Sequence, residues 1–157
     1  MKAWLTSSVV IIWGGAASAL SCLPTSVELL YTNAAEATEA YIPAVGFLTS
    51  LSLSPKAQHG DGFASGQVGK AMFHGHYVDG SGNLVPWTSR VTAETFCAAS
   101  WCGDITAGVP YLTFLRVEGR QYHFDAHACS TSIANPNHEE IEQLQACMRG
   151  AECTPEW

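Results

Sequence analysis

Apolar and polar positions alternate through much of the middle of the chain. Tyr41–Leu53 (YIPAVGFLTSLSL) is partly alternating and predicts a strand, with Pro43 pointing to an edge or a bulge. Gln67–Val78 predicts a second strand. DGSGN at Asp79–Asn83 is a turn signal. Leu84–Phe96 then returns as a third strand, its β-propensity supplied by Thr88, Val91, Thr92 and Thr95. Tyr111–Val117 and Gln121–Ala128 flank Glu118-Gly119-Arg120 and predict a hairpin. In its second strand Tyr122, Phe124, Ala126 and Ala128 share one face. His123, Asp125 and His127 share the other, which is expected to face water.

Two stretches depart from this period. Ser26–Ala40 is rich in alanine and glutamate and predicts a helix, with Asn33 as its weak point. NPNHEEIEQLQACM predicts a second. Asn135 or Asn137 caps it, Glu139 and Glu140 suit its positive end, and Ile141, Leu144 and Met148 recur at the spacing needed to dock on a sheet. Ser54–Gly66 reads as a loop. No repeat, low-complexity run or linker divides the chain. The fold class is therefore mainly β, one domain with short N- and C-terminal helices.

The first residues follow another logic. Lys2, the apolar run through Val9, Val10, Ile11, Ile12 and Trp13, and Ala17-Ser18-Ala19 have the layout of a cleaved export signal over residues 1–19. Residues 20–157 form the mature domain. Cleavage after Ala19 is the main expectation, and a cut after Ser21 is the second. The apolar run is shorter than the roughly 20 residues of a membrane-spanning helix, so no stable membrane anchor is expected. The localisation that follows is secreted or periplasmic.

That compartment changes the meaning of the six cysteines, Cys22, Cys97, Cys102, Cys129, Cys147 and Cys153. All lie beyond the signal, and an even number in an exported chain reads as a disulfide framework. WCGD at Trp101–Asp104 lacks the second cysteine of a CxxC redox site. Zinc sites favour closely spaced pairs, and only Cys97/Cys102 and Cys147/Cys153 are close. Stapling is the reading that remains.

Charge narrows the function further. The formal net charge is −7 and Lys and Arg do not cluster in the sequence, which argues against nucleic acid and anionic membranes as partners. Trp87, Trp101, Tyr111 and Phe114 are expected as core or loop anchors rather than a base-stacking platform. Glu94 and Asp104 are the carboxylates one would pair for hydrolysis, but nothing in the sequence brings them together. No catalytic constellation and no cofactor is implied, so the chain is read as non-enzymatic.

The histidines offer a rival site. His74 and His76 form HxH, and His123, Asp125 and His127 form HxDxH. Positions two apart on a strand are about 6.6 Å apart and can share a metal; positions four apart, at about 13 Å, cannot. A site would therefore need His74 and His76 together with His123 or Asp125 from another strand. This gives the alternative function, a periplasmic or secreted metal-binding protein using histidine pairs on adjacent strands.

Taken with their neighbours, the cysteines carry a resemblance. LSCLP at the mature start, AVGFL in the first strand, Cys102-Gly103, AGVPYLTFL, a hairpin, and Cys129 followed by STSI occur in the order of the netrin-like family, which includes the tissue inhibitors of metalloproteinases. The resemblance spans roughly Leu20–Ile133. It implies an OB-like five-stranded barrel with helices packed against it. It also implies a protein partner, with a metalloprotease as one candidate. In those inhibitors the chain begins Cys-x-Cys, and the first cysteine's amine and carbonyl chelate the protease zinc. Here Leu20 takes the first cysteine's place and Cys22 the second's, so Leu20, Ser21 and Cys22 become the candidate partner-binding residues. The alignment implies Cys22 with Cys129, leaves Cys102 to Cys97, and leaves Cys147 to Cys153. A cut after Ser21 would make Cys22 itself N-terminal.

Overall fold

The computed structural model describes residues 22–57 and 65–155. The expected export signal, both candidate cleavage positions, Leu20 and Ser21 lie outside the described residues. The elements run α1 (Val27–Glu36), β1 (Ala40–Pro55), β2 (Gln67–Val78), β3 (Leu84–Thr95), β4 (Cys97–Ala98), β5 (Trp101–Cys102), β6 (Pro110–Glu118), β7 (Gln121–Ala126), β8 (Ser132–Ala134) and α2 (His138–Met148).

Five of the strands close into a ring in the order β1-β2-β3-β7-β6, with β6 pairing back to β1. This is the OB-like barrel. Every pairing is antiparallel except β3 with β7, which run parallel from Val91↔Tyr122 to Thr95↔Ala126. The long β1 makes closure possible. Its first half pairs with β6 (Ala40↔Val117 to Phe47↔Pro110) and its second half continues on β2 alone. Pro43 falls where β1 is paired with β6 only, because the β2 ladder starts at Ala44. The bulge lies further on, between Thr49 and Ser52, where Ser50 takes φ 51°. An extra residue there bends and twists the strand into the barrel's curve. Gly46 and Gly75 are register partners where the two backbones approach closely. A Cβ on Gly46 would stand 2.2 Å from the His74 carbonyl oxygen.

Alternation fills the barrel. Ala44, Leu48, Ala71, Phe73, Val91, Ala93, Leu115 and Phe124 face inward and form the main core, with Tyr111 edge-on to Phe124 at 5.2 Å. A second cluster lies outside the barrel wall, where Val27 and Leu30 of α1 and Leu144 and Cys147 of α2 cover Val78 and Leu112. This is why β6 is apolar on both faces.

The helices start where their caps dictate. The Ser26 hydroxyl accepts from the Leu29 amide at 3.2 Å. Asn137, not Asn135, caps α2. It accepts from the Glu140 amide at 2.9 Å while its own amide donates to Glu140 Oε2 at 2.7 Å. Asn135 instead takes φ 52° in the bend before the helix. Asn33 does not break α1, which runs to Glu36. The Asp79–Asn83 turn is held by Asp79 Oδ1, which accepts from the amides of Ser81 and Asn83. The Asn83 amide leads the bonds that keep this carboxyl below its usual range.

Three bridges are formed: Cys22–Cys129, Cys97–Cys102 and Cys147–Cys153. The first ties the segment before α1 to the segment after β7. The second closes the small β4–β5 hairpin on itself, with Cys97 and Cys102 as register partners. The third pins the chain after α2 back onto that helix. No helix among the described residues is long and apolar enough to cross a membrane, and three disulfides are compatible with an oxidising compartment.

Candidate functional site

Two regions bring chemistry-bearing residues together. The first is the end of the barrel around residues 126–132. Cys22 is bonded to Cys129, and its Sγ lies 3.9 Å from the Ala128 carbonyl oxygen. Thr25 Oγ1 donates to the Ser130 carbonyl at 3.3 Å, which lays the N-terminal segment along this loop. From the other side, Gly103 packs so tightly on β7 that an added Cβ would stand 2.2 Å from the Ala126 carbonyl oxygen. Cys102, Gly103, Asp104, His127, Ala128 and Ser132 border a cavity of about 350 Å³ between these segments. The surroundings are apolar where one expects polar groups: Leu23 is 58% exposed and Trp101 63%. Trp101 is therefore not the anchor expected of it, because the two-residue strands of its hairpin are too short to fold it inward. Trp87, by contrast, packs among Phe73, Tyr77 and Tyr122.

The rim of this end is ordered by polar bonds. Tyr111, whose ring is buried, accepts from the Thr106 amide at 3.0 Å. Asp104 accepts from the Thr106 hydroxyl at 3.2 Å and does not meet Glu94. The His127 ring stacks on Phe96 at 4.4 Å and 7°, and Lys56 Nζ stands 3.8 Å from the centre of the same Phe96 ring. Set beside known protein families, characterised proteins and solved structures, the chain matches none of them.

The second region is the outer face of β3, β6 and β7. Glu94 and Asp125 are register partners on the parallel strands, and His123 pairs with Thr92 on one side and Arg116 on the other. Arg116 donates to Asp125 from Nε at 2.6 Å and from Nη2 at 3.4 Å, and to Glu118 at 3.1 Å. Hydrogen bonding to Asp125 raises the guanidinium pKa above its usual value, and burial opposes it. Lys56 meets Glu94 at 2.6 Å. Tyr41 closes the edge; burial first, and then the charges of Glu39 and Asp125, push its phenol pKa up.

The histidine expectations need correction here. His74 pairs with Thr88, whereas His123 lies beside Thr92 on the next strand over. That places the two histidines roughly 16 Å apart, two strands across and four residues along. His74 instead bonds Thr49 Oγ1 at 2.9 Å and stacks on Phe47. The set His74, His76, His123 and Asp125 is therefore not one site. Nor does the polar side of β7 face water throughout: His123 is buried and only His127 is exposed. β7 is an inner strand, and long side chains of β6 close over the imidazole. What the sequence did not show in this region is the place of Glu94, beside Asp125 and not Asp104. Only the parallel β3–β7 pairing delivers it to Asp125, and no local pattern encodes a pairing between strands so far apart in the chain.

Proposed function

We propose that this chain is an exported, non-enzymatic binding module of netrin-like type, secreted or periplasmic. It engages a protein partner through the end of the barrel where Cys22 is tied to Cys129. One observation carries the reading. Two large apolar side chains, Leu23 and Trp101, stand mostly in solvent, each beside a disulfide that fixes its backbone. Rigid, exposed apolar groups beside a cavity are what a recognition surface needs, since little ordering entropy is lost on binding. The barrel type, the early helix, and the bridge from the N-terminal segment to the loop after the hairpin support the netrin-like part of the reading.

The metalloproteinase-inhibitor form of this proposal has a sharper requirement. Cys22 must carry the free amine, with Ser21 removed. Its disulfide to Cys129 would then hold amine and carbonyl rigidly, although Cys102, bonded to Cys97, contributes no second tie.

The test compares wild type with a Leu23→Ala/Trp101→Ala double variant of the exported protein. N-terminal sequencing defines the start, and affinity capture from the source organism's extracellular or periplasmic fraction reads partner binding. A partner retained by wild type and lost by the correctly folded variant supports the module. Identical capture by both overturns this surface. Inhibition of zinc endopeptidases by a form starting at Cys22, abolished by N-acetylation, supports the inhibitor form; no inhibition by that form removes it.

A further inference from the structure

The outer-face cluster is not used by the binding surface above. One ligand-capable atom each from Glu94, His123 and Asp125 lies within 4.8 Å of the others. The arrangement follows from the strands. His123 and Asp125 are two apart on β7 and share a face, and Glu94 is Asp125's register partner on β3.

Acidic residues close together prove little, because Lys56 and Arg116 already neutralise them. The independent observation is His123. Its side chain is only 10% exposed. Neither ring nitrogen has a hydrogen-bond partner among the described residues. Glu118 Oε2, the group facing Nε2, is 3.6 Å away, beyond hydrogen-bond reach. Leaving a buried polar group unpaired costs about 1–3 kcal/mol, and native folds satisfy nearly all such groups. Here the idle nitrogens lie beside two carboxylates, which is the surrounding a metal ligand has.

We propose that Glu94, His123 and Asp125 form a binding site for a divalent cation of the zinc class. One imidazole and two carboxylates are a nitrogen–oxygen donor set that suits zinc, and the imidazole disfavours calcium and magnesium. Ligand atoms around a tetrahedral zinc are about 3.4 Å apart, given metal–ligand bonds of about 2.0–2.2 Å. Zinc binding therefore requires the present spread to contract to that distance through side-chain adjustment. The two cations need not leave. Lys56 holds Glu94 through Oε1, which leaves Oε2 to the metal. Arg116 holds Asp125 Oδ2 at 2.6 Å, so the weaker 3.4 Å contact at Oδ1 is the one that yields. Glu118, mostly in solvent and already facing Nε2, supplies the fourth ligand or orients a water there.

The test uses the mature, disulfide-intact protein, made without a histidine tag and stripped with a chelator. Zinc binding is followed by calorimetry, and cobalt(II) as a spectroscopic substitute by its visible bands. The expected result is one saturable site per chain. Glu94→Gln and His123→Gln should each weaken zinc by more than about tenfold, since even a supporting group at a metal site is worth that much. A His74→Gln/His76→Gln variant should bind as wild type does. Glu94→Gln leaves the buried ring in place, so it reads the site even if His123→Gln fails to fold. No saturable zinc binding, or binding that survives Glu94→Gln, or binding lost only with His74 and His76, overturns the proposal. The partner-capture experiment is independent of each of these outcomes.

Discussion

Cys22 and Cys129 are 107 positions apart in the chain, and their Cα atoms are 5.4 Å apart. A bridge that closes so long a loop removes much of the unfolded chain's freedom, about 4–5 kcal/mol on the chain-entropy model. The five-residue separation of Cys97 and Cys102 gives about 2 kcal/mol on the same model. Replacing Cys22 and Cys129 together by serine should therefore cost about twice as much stability as replacing Cys97 and Cys102. Urea unfolding of the two double variants checks this; equal losses would contradict the ranking.

Phe124 is fully buried at the centre of the barrel, edge-on to Tyr111. Phe124→Ala should destabilise the protein by about 3–5 kcal/mol through lost burial and the cavity left behind. Phe47, exposed on the outer face, should cost far less when replaced by alanine. Thermal unfolding of the two variants side by side gives the comparison.

Gly103 offers a way to disturb the barrel end around residues 126–132 alone. Its missing Cβ makes room for the Ala126 carbonyl. Gly103→Ala should force the β4–β5 hairpin away from β7, costing about 1–3 kcal/mol as overpacking does. Near-ultraviolet circular dichroism and Trp101 fluorescence should change, while the far-ultraviolet spectrum stays that of the barrel.

The alkaline limb of stability should report Tyr41. Burial, Glu39 and Asp125 hold its phenol above the ordinary pKa of 10.0, and Arg116 only partly opposes them. The folded state thus disfavours tyrosinate. The phenol's contribution is intact below pH 10.0 and is lost as pH rises through the higher folded value. Tyr41→Phe should lose less stability than wild type between pH values on either side of 10.0, as measured by denaturant unfolding. Equal slopes would show that Tyr41 titrates as it does in the unfolded chain.

Much of the barrel was readable from the sequence because each strand declares itself locally. Gln67–Val78, set off by the 54–66 loop and the DGSGN turn, forms β2 over those same residues. The 118–121 hairpin declares itself through Gly119, which takes φ 61°. The start of α2 was readable to within two residues, since Asn135 and Asn137 both offered a cap and the structure uses Asn137. The outer face was not readable in this way. Whether His123 meets water depends on Arg116 and Glu118 of β6, and whether Asp125 meets Glu94 depends on β3. Those neighbours are fixed by ring closure, not by the residues next to them in sequence. Ser132–Ala134 escaped notice for a related reason: three residues carry no period, and β8 exists only because β6 offers a free edge at Tyr111–Thr113.

The parallel seam between β3 and β7 has a consequence for how the native state is reached. Residues 84–95 cannot find their second neighbour until residues 121–126 are available, and the longest covalent tie waits for residue 129. Nearly the whole polypeptide must be present before the circle can shut, so native structure is a late, cooperative event rather than a stepwise one. A truncated chain ending before β7 would be an open, sticky ribbon and not a smaller copy of the domain.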